Sequence, residues 1–327
     1  MKARAPVFWP LVGLGALVLL NAVFEPGFLK VTVLHGHLFG VPMDILTQGS
    51  RTMLVALGMT LVIATAGVDL SVGSVMAVAG AVSAVMLQGG HGLGLALAAA
   101  VGAGLLAGGV NGTLVARLGV QPIVATLILM VAGRGVAELI VGGQVIIISH
   151  DGFEYLANGF LLGLPFAPLL VAACFVATHL LVRRTALGLF VEAVGDNETA
   201  SRFAGLAAAR IKAFAYIFCG GCAGLAGVLA AANIRAADAY RAGENAELDA
   251  IFAVVVGGTA LSGGRFTVLG SAIGALLIQT LTTTMYNLGV PPAVAPVPKA
   301  LLIIGVTLLQ SEKVGRWLGG LRRRAAA

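Results

Sequence analysis

Apolar residues run along the chain in long blocks rather than in alternation with polar ones. A bilayer-spanning helix needs about 20 predominantly apolar residues. That length divides the sequence into segments 7–24, 52–66, 72–87, 94–115, 123–141, 164–181, 213–232, 250–261, 268–285 and 300–309. Several of these are shorter than a full span, and the short ones adjoin glycine-rich stretches. Irregular backbone at membrane depth is tolerated where protein or a water-filled cavity covers it. Broken or half-length helices are therefore expected near residues 67–73 and 257–264. The fold class expected is an all-α, polytopic transmembrane helix bundle of about ten spans, some of them short or broken. Small positions such as Gly102, Gly104, Gly108 and Gly109 would let helices approach closely, which is how helices associate when no water drives them together.

Composition identifies the solvent around those segments. Apolar residues make up 59% of the chain and charged residues 10%, against roughly 45–50% and roughly 25% in a soluble domain. So few charges cannot clothe a soluble core of this size, so lipid must face most of the protein. The net charge of +6 comes from scattered basic residues without interleaved aromatics, which argues against a nucleic-acid partner. With ten spans and an internal N-terminus, the inside loops would hold fourteen Lys and Arg, from Lys2 and Arg4 through Arg117, Arg183, Arg184, Arg202, Arg210, Lys212 and Arg265 to the basic C-terminus. The outside would hold five: Lys30, Arg51, Arg235, Arg241 and Lys299. That bias places both termini in the cytoplasm. Lys2 and Arg4 followed by the run 7–24 imitate a secretory signal, but no clean small-residue cleavage site follows, so a retained first helix is expected. The organisation is then a cytoplasmic N-terminus (1–6), one membrane domain (7–310) holding a cytoplasmic loop (183–212), and a basic cytoplasmic tail (311–327).

The loop 183–212 is the longest polar stretch. Gly195, Asp196 and Asn197 form a turn signal that would cap a short surface helix over 199–209. No phosphate-binding G-x-x-x-x-G-K-[ST] pattern occurs, so any use of ATP would fall to a partner chain. Inside the membrane, Asp69 and Ser71 stand between two apolar runs. A carboxylate there costs about 2.5–3.5 kcal/mol at a span centre, and either a helix cap or a substrate contact would account for it. Arg134 and Glu138 lie four residues apart on one helix face, where they are expected to pair and either brace the bundle or line a path. Asn233, Arg235, Asp238, Tyr240, Arg241, Glu244, Glu247 and Asp249 gather at the outward end of the seventh and eighth segments. Gln279, Tyr286 and Asn287 lie along and beyond the ninth. The first group reads as a solvated loop or as a contact for substrate or a binding protein; the second could hydrogen-bond hydroxyls or bridge helices.

Cys174, Cys219 and Cys222 lie in apolar segments and read as packing residues. The histidines show no metal-ligand spacing beyond the weak His35-x-His37, and no nucleophile or paired acids suggest an enzyme. Neither a metal nor a cofactor is expected.

Three stretches carry a family resemblance: LGMTLVIATAGVDLSVGSVMAVAG (57–80), EAVGDNETASRFAGL (192–206) and GGTALSGGRFTVLGSAIGALLI (257–278). With them the chain after its first helix resembles the permeases of ribose-type sugar importers, a branch of the ATP-binding-cassette transporters whose membrane fold is shared with vitamin importers. The stretches TLILMVAGRGVAELI (126–140) and ELDAIFAVVVGG (247–258) look most like the permeases of galactofuranose importers. In the loop, Val194, Gly195, Asn197, Ala200 and Gly205 keep the family pattern, with Leu206 at its last position.

The resemblance implies a second permease copy or paralogue, two cytoplasmic ATPase subunits and an extracytoplasmic sugar-binding protein. It also implies that the loop is the coupling helix, with Glu192, Gly195, Asp196, Asn197, Ala200, Arg202 and Gly205 meeting the ATPase. Glu192, Asp196, Asn197 and Arg202 would transmit its movement into the membrane. Arg134, Glu138, Asn233 and Gln279 are the candidate path residues, and Asp69, Ser71, Gly257, Gly258, Gly263 and Gly264 are structural motif positions. Competing readings are the same fold moving an amino acid, a nucleoside or a signalling molecule, an ion-coupled transporter using Asp69 or Glu138 as relay, and a membrane enzyme acting on lipid-linked sugars.

Overall fold

A computed structural model describes residues 7–291 and 294–310; the expectations for the two termini lie outside them. In chain order the elements are α1 (Phe8–Phe24), β1 (Thr32–Leu34), β2 (His37–Phe39), α2 (Val41–Ala64), α3 (Val72–Gln88), α4 (Leu93–Ala116), α5 (Pro122–Val141), β3 (Ile146–Ile147), α6 (Asp151–Asn158), β4 (Phe160–Leu161), β5 (Leu164–Pro165) and α7 (Phe166–Arg184). There follow α8 (Leu187–Asp196), α9 (Glu198–Phe203), α10 (Ala208–Ile234), β6 (Ala236–Ala237), α11 (Ala246–Val256), α12 (Val268–Asn287) and α13 (Pro296–Gln310).

Every one of the ten predicted segments falls on a helix. Six of the described helices, α2, α4, α5, α7, α10 and α12, are long and apolar enough to cross a bilayer, and α1 and α3 are shorter apolar helices. α11 has 11 residues and α13 has 15, so about ten full spans is more than helix length alone supports. The expected breaks are present. Residues 65–71 separate α2 from α3, and residues 257–267 separate α11 from α12, both without helix.

Three expectations need correction. The all-α description omits three two-stranded ribbons, β1–β2, β3–β6 and β4–β5. These form because loop backbone outside the helices still needs hydrogen-bond partners. α2 begins eleven residues before the predicted segment, with Pro42 in its first turn. Its polar residues Gln48, Ser50 and Arg51 resemble a loop in sequence, yet they are helical because each has somewhere polar to face. Finally, the predicted surface helix 199–209 is two pieces: α9 stops at Phe203, Gly205 turns the chain at a φ of +85°, and α10 begins at Ala208.

The bundle has an inner and an outer set of helices. α2, α10 and α12 are mostly buried, whereas few residues of α4, α5 and α7 are buried and these helices present side chains such as Leu106, Val131 and Leu139 outward. α4 crosses α10 at backbone distance. A Cβ on Gly108 would stand 2.9 Å from the Cα of Ile217, and one on Gly104 would stand 3.0 Å from the Cα of Gly224. Gly102 meets nothing within 4 Å, and Gly109 only a side chain at 3.9 Å, so two of the four expected small positions make the crossing.

Candidate functional site

A cavity of about 920 Å³ opens at one end of the bundle. α2 gives it Gln48, Arg51, Thr52 and Val55, whose spacing of three, four and seven residues is one helix face. α12 contributes Gln279, Thr282 and Tyr286 by the same periodicity. α11 adds Asp249 and Phe252, α3 adds Met76 and Ala77, and α13 adds Lys299. The loop after β6 closes one side with Asp238, Arg241 and Glu244.

Each charge at the cavity has a distinct setting. Lys299 Nζ donates to both carboxylate oxygens of Asp249 at 2.8 Å, joining α13 to α11. Asp238 accepts from the backbone amides of Tyr240 and Arg241, both at 3.0 Å. Arg51 is half-buried and, among the described residues, has neither a hydrogen-bond nor an ion-pair partner.

Only one of the four candidate path residues is on this cavity. Gln279 lines it. Arg134 does not pair with Glu138: its Nη1 donates to the carbonyls of Ala239 and Ala242 at 2.8 and 2.6 Å, anchoring the loop that forms the cavity wall. Glu138 is exposed on the outside of α5. The i, i+4 spacing put both side chains on neighbouring positions, but two carbonyls of a tight loop gave the guanidinium better acceptors than an exposed carboxylate. Asn233 turns away to α6, where its Nδ2 meets Asn158 Oδ1 at 3.3 Å, and Arg235 pairs with Glu154. Of the outward polar cluster, Asp238, Arg241, Glu244 and Asp249 line the cavity, whereas Gln48, Arg51 and Lys299 were missed as site residues. The signal was present at Gln48, Arg51 and Thr52, which share the helical period of Val55 once the helix is started at residue 41.

The opposite end of α2 and α10 carries the helix pair α8–α9. Asn197 caps α9 by accepting from Ala200 N at 2.9 Å, while Gly195 and Asp196 form the last turn of α8 rather than a turn of their own. Arg202 pairs with Glu198 four residues earlier, and Glu198 also takes Lys212 from α10. Burial works to raise the Glu198 carboxyl, but the hydrogen bond and charge of Lys212, together with Arg202, outweigh it and hold the group below its ordinary value. Phe203 projects fully, 89% exposed.

This helix pair is seated by glycines. A Cβ on Gly195 would stand 2.6 Å from Gly264 N and closer still to the Ala64 carbonyl oxygen, and one on Gly263 would stand 2.7 Å from the Gly195 oxygen. Gly264 N donates to Ala64 O at 2.9 Å. The end of α2, the end of α8 and the 257–267 loop therefore meet backbone to backbone.

Between the two ends lies the break after α2. Asp69, fully buried, accepts at Oδ1 from Ser71 N at 2.9 Å, from Ser71 Oγ at 2.6 Å and from Asn111 Nδ2 at 3.2 Å. Asn111 Nδ2 also donates to Ser71 Oγ at 2.9 Å, and Tyr216 Oη to the Val68 carbonyl at 3.2 Å. The carboxylate thus sits at the start of α3 as a turn residue that ties α3 to α4, away from the cavity. Cys219 and Cys222 are buried beside this region and Cys174 is half-buried; a Cβ on Gly58 would meet the Cα of Cys219 at 2.7 Å, so the cysteine belongs to a close helix contact.

The family described as branched-chain amino acid transport system, permease component, matches residues 41–309. The chain is 46% identical to the galactofuranose transporter permease of Escherichia coli (strain K12) over 99% of its length and 95% of that protein's. It is 38% identical to the fructose import permease of Bifidobacterium longum, over 97% and 91% of the two chains. With the ribose import permease of Escherichia coli (strain K12) the identity is 36%, over 93% of each. No solved structure matches the chain at a significant level.

Proposed function

The chain belongs to the branched-chain amino acid transport system permease family, and from that membership we propose that it is the membrane-spanning permease of an ATP-binding-cassette importer that moves a monosaccharide across the bacterial inner membrane. The observation that carries the reading is an arrangement: a cavity with polar groups at one end of the bundle, and at the other a helix pair seated on the same helices, α2 and α10, that line the cavity. The names of three relatives make the cargo a sugar rather than the amino acid of the family description.

In this reading residues 7–310 are one permease domain with both termini cytoplasmic and some ten crossings. The loop 192–206 is the coupling element, with Glu192, Gly195, Asp196, Asn197, Ala200, Arg202 and Gly205 facing or seating against an ATPase and Phe203 as the exposed apolar anchor. A second permease copy or paralogue, two ATPase subunits and an extracytoplasmic sugar-binding protein complete the importer. Movement at the coupling element reaches the cavity through the glycine joint of Gly195, Gly263 and Gly264 with the end of α2, because backbone in contact with backbone leaves no side chain to absorb the displacement. Gln279 lies on the path, while Arg134 acts by holding the cavity wall. An ion-coupled mechanism gains no support, since Glu138 faces outward and Asp69 is occupied by three donors.

The test is uptake of radiolabelled galactose, fructose, ribose and a nucleoside by vesicles carrying this chain with its ATPase and binding-protein partners. Sugar uptake that survives an uncoupler and stops on ATP depletion is expected. Uptake that collapses with the proton gradient, or that is confined to the nucleoside, would overturn the proposal.

A further inference from the structure

Deepening the reading just given, and resting on it, we infer that Arg51 is the residue that holds the sugar in the cavity, its guanidinium donating to two adjacent hydroxyl oxygens. Arg51 lies on the cavity face of α2 between Gln48 and Thr52. Among the described residues the other part-buried Lys and Arg side chains are all engaged: Lys212 by Glu198, Lys299 by Asp249, and Arg134 by two carbonyls. Arg51 alone of this group is withdrawn into the bundle without a protein acceptor among the described residues. A guanidinium has a rigid fork of N–H donors and no acceptor capacity, so within a cavity it is satisfied by water or by a ligand that offers paired oxygens. Adjacent ring hydroxyls offer that pair.

The surroundings fit a neutral polyol better than an amino acid. Tyr286 lies close enough to Arg51 to interact with it electrostatically, and with Gln48, Gln279 and Thr282 it supplies groups that both donate and accept. Val55, Met76 and Phe252 give the same cavity an apolar wall for the C–H face of a sugar. An amino acid would need a free carboxylate inside the cavity for its ammonium, but Asp249 is already held by Lys299 and Asp238 by two backbone amides, and Glu244 is exposed on the loop rather than withdrawn into the bundle.

The experiment measures initial ATP-dependent uptake of galactose and of the series of monodeoxy galactoses by the full importer, with wild-type permease, Arg51→Gln and Arg51→Lys, each corrected for membrane abundance. The same binding protein delivers sugar to every variant, so its own preferences cancel in the ratios. A hydrogen bond from a charged donor is worth on the order of a tenfold change in rate. Arg51→Gln is expected to slow galactose by on the order of tenfold and to lose further sensitivity to two adjacent hydroxyls while keeping that to the others; Arg51→Lys, with charge but no fork, falls between. Should Arg51→Gln fail to accumulate, Arg51→Lys carries the same comparison. A variant with wild-type rates, or one slowed by the same factor on every sugar, would make Arg51 structural and end the inference with the importer reading intact. Absence of ATP-dependent uptake of galactose, fructose and ribose alike by the wild type would instead remove the importer reading, and the inference with it.

Discussion

Replacing Gly195 by alanine adds one methyl group at the point where α8, the end of α2 and the 257–267 loop meet. The residue lies in the last turn of α8 with ordinary helical backbone, so the alanine carries no conformational penalty and gains about 1 kcal/mol in helix propensity. Its Cβ, however, would stand 2.6 Å from Gly264 N, whereas carbon settles at roughly 3.3–3.6 Å from a polar backbone atom. The three segments must therefore separate by on the order of 1 Å, and the Gly264 N to Ala64 O bond of 2.9 Å lies directly in the way. Overpacking costs about 1–3 kcal/mol and the lost hydrogen bond about 1 kcal/mol, for a net destabilisation of about 1–3 kcal/mol.

Thermal unfolding of the full chain in detergent is read with a fluorogenic maleimide, since Cys219 and Cys222 are buried until the bundle opens. A lower melting temperature is expected, with ATP-dependent uptake falling further than membrane abundance. Gly94→Ala is the control: it lies near the start of α4 and a Cβ there meets nothing within 4 Å, so its melting should stay level or rise. Equal melting and uptake for Gly195→Ala and wild type, or an equal loss in Gly94→Ala, would refute the reasoning.

Two further outcomes follow from the polar contacts. Asp69→Ala leaves Ser71 N, Ser71 Oγ and Asn111 Nδ2 without their shared acceptor in a fully buried place, and is expected to destabilise by on the order of 3 kcal/mol, while Asp69→Asn keeps one acceptor oxygen and loses less; identical melting of the two variants would sink this assignment. Glu198 is held below its ordinary value of 4.5 by Lys212 and Arg202 against the opposing effect of burial. A depressed folded value contributes stability that is present above the ordinary value and is lost as pH falls through the lowered one. Amide exchange in α9, corrected for intrinsic rates, should therefore accelerate as pH drops below about 4.5, and Glu198→Gln should flatten that response; a pH-independent wild type would contradict it.

Much of this molecule was already legible in one dimension. A chain with so little charge has no solvent but lipid for its surface, and the apolar blocks located a helix at each of ten places. The glycine-rich breaks at 67–73 and 257–264 marked where backbone leaves the helix, and the stretches 57–80, 192–206 and 257–278 pointed to the family that the comparison confirms. Asn197 as the cap of α9 was also readable, because a capping side chain bonds to backbone only three residues away.

The partners of long polar side chains were not legible. Arg134 and Glu138 have ideal spacing for a pair, yet Arg134 reaches carbonyls more than one hundred residues later in sequence, and Asn233 turns to Asn158 rather than into the cavity. Local spacing lists which groups can meet; it does not say which distant acceptor the fold will bring closer. The cavity is the plainest case. Arg51, Asp249, Gln279 and Lys299 come from four helices spread over most of the chain, and each alone looks like a loop end or an isolated polar residue. The solvent and the helices follow from composition and short-range periodicity, and the family from the three matching stretches, all of which can be read along the chain. Which faces of α2, α11, α12 and α13 look at one another across shared space depends instead on how the glycine-seated helices cross, and that rests on contacts between residues far apart in sequence.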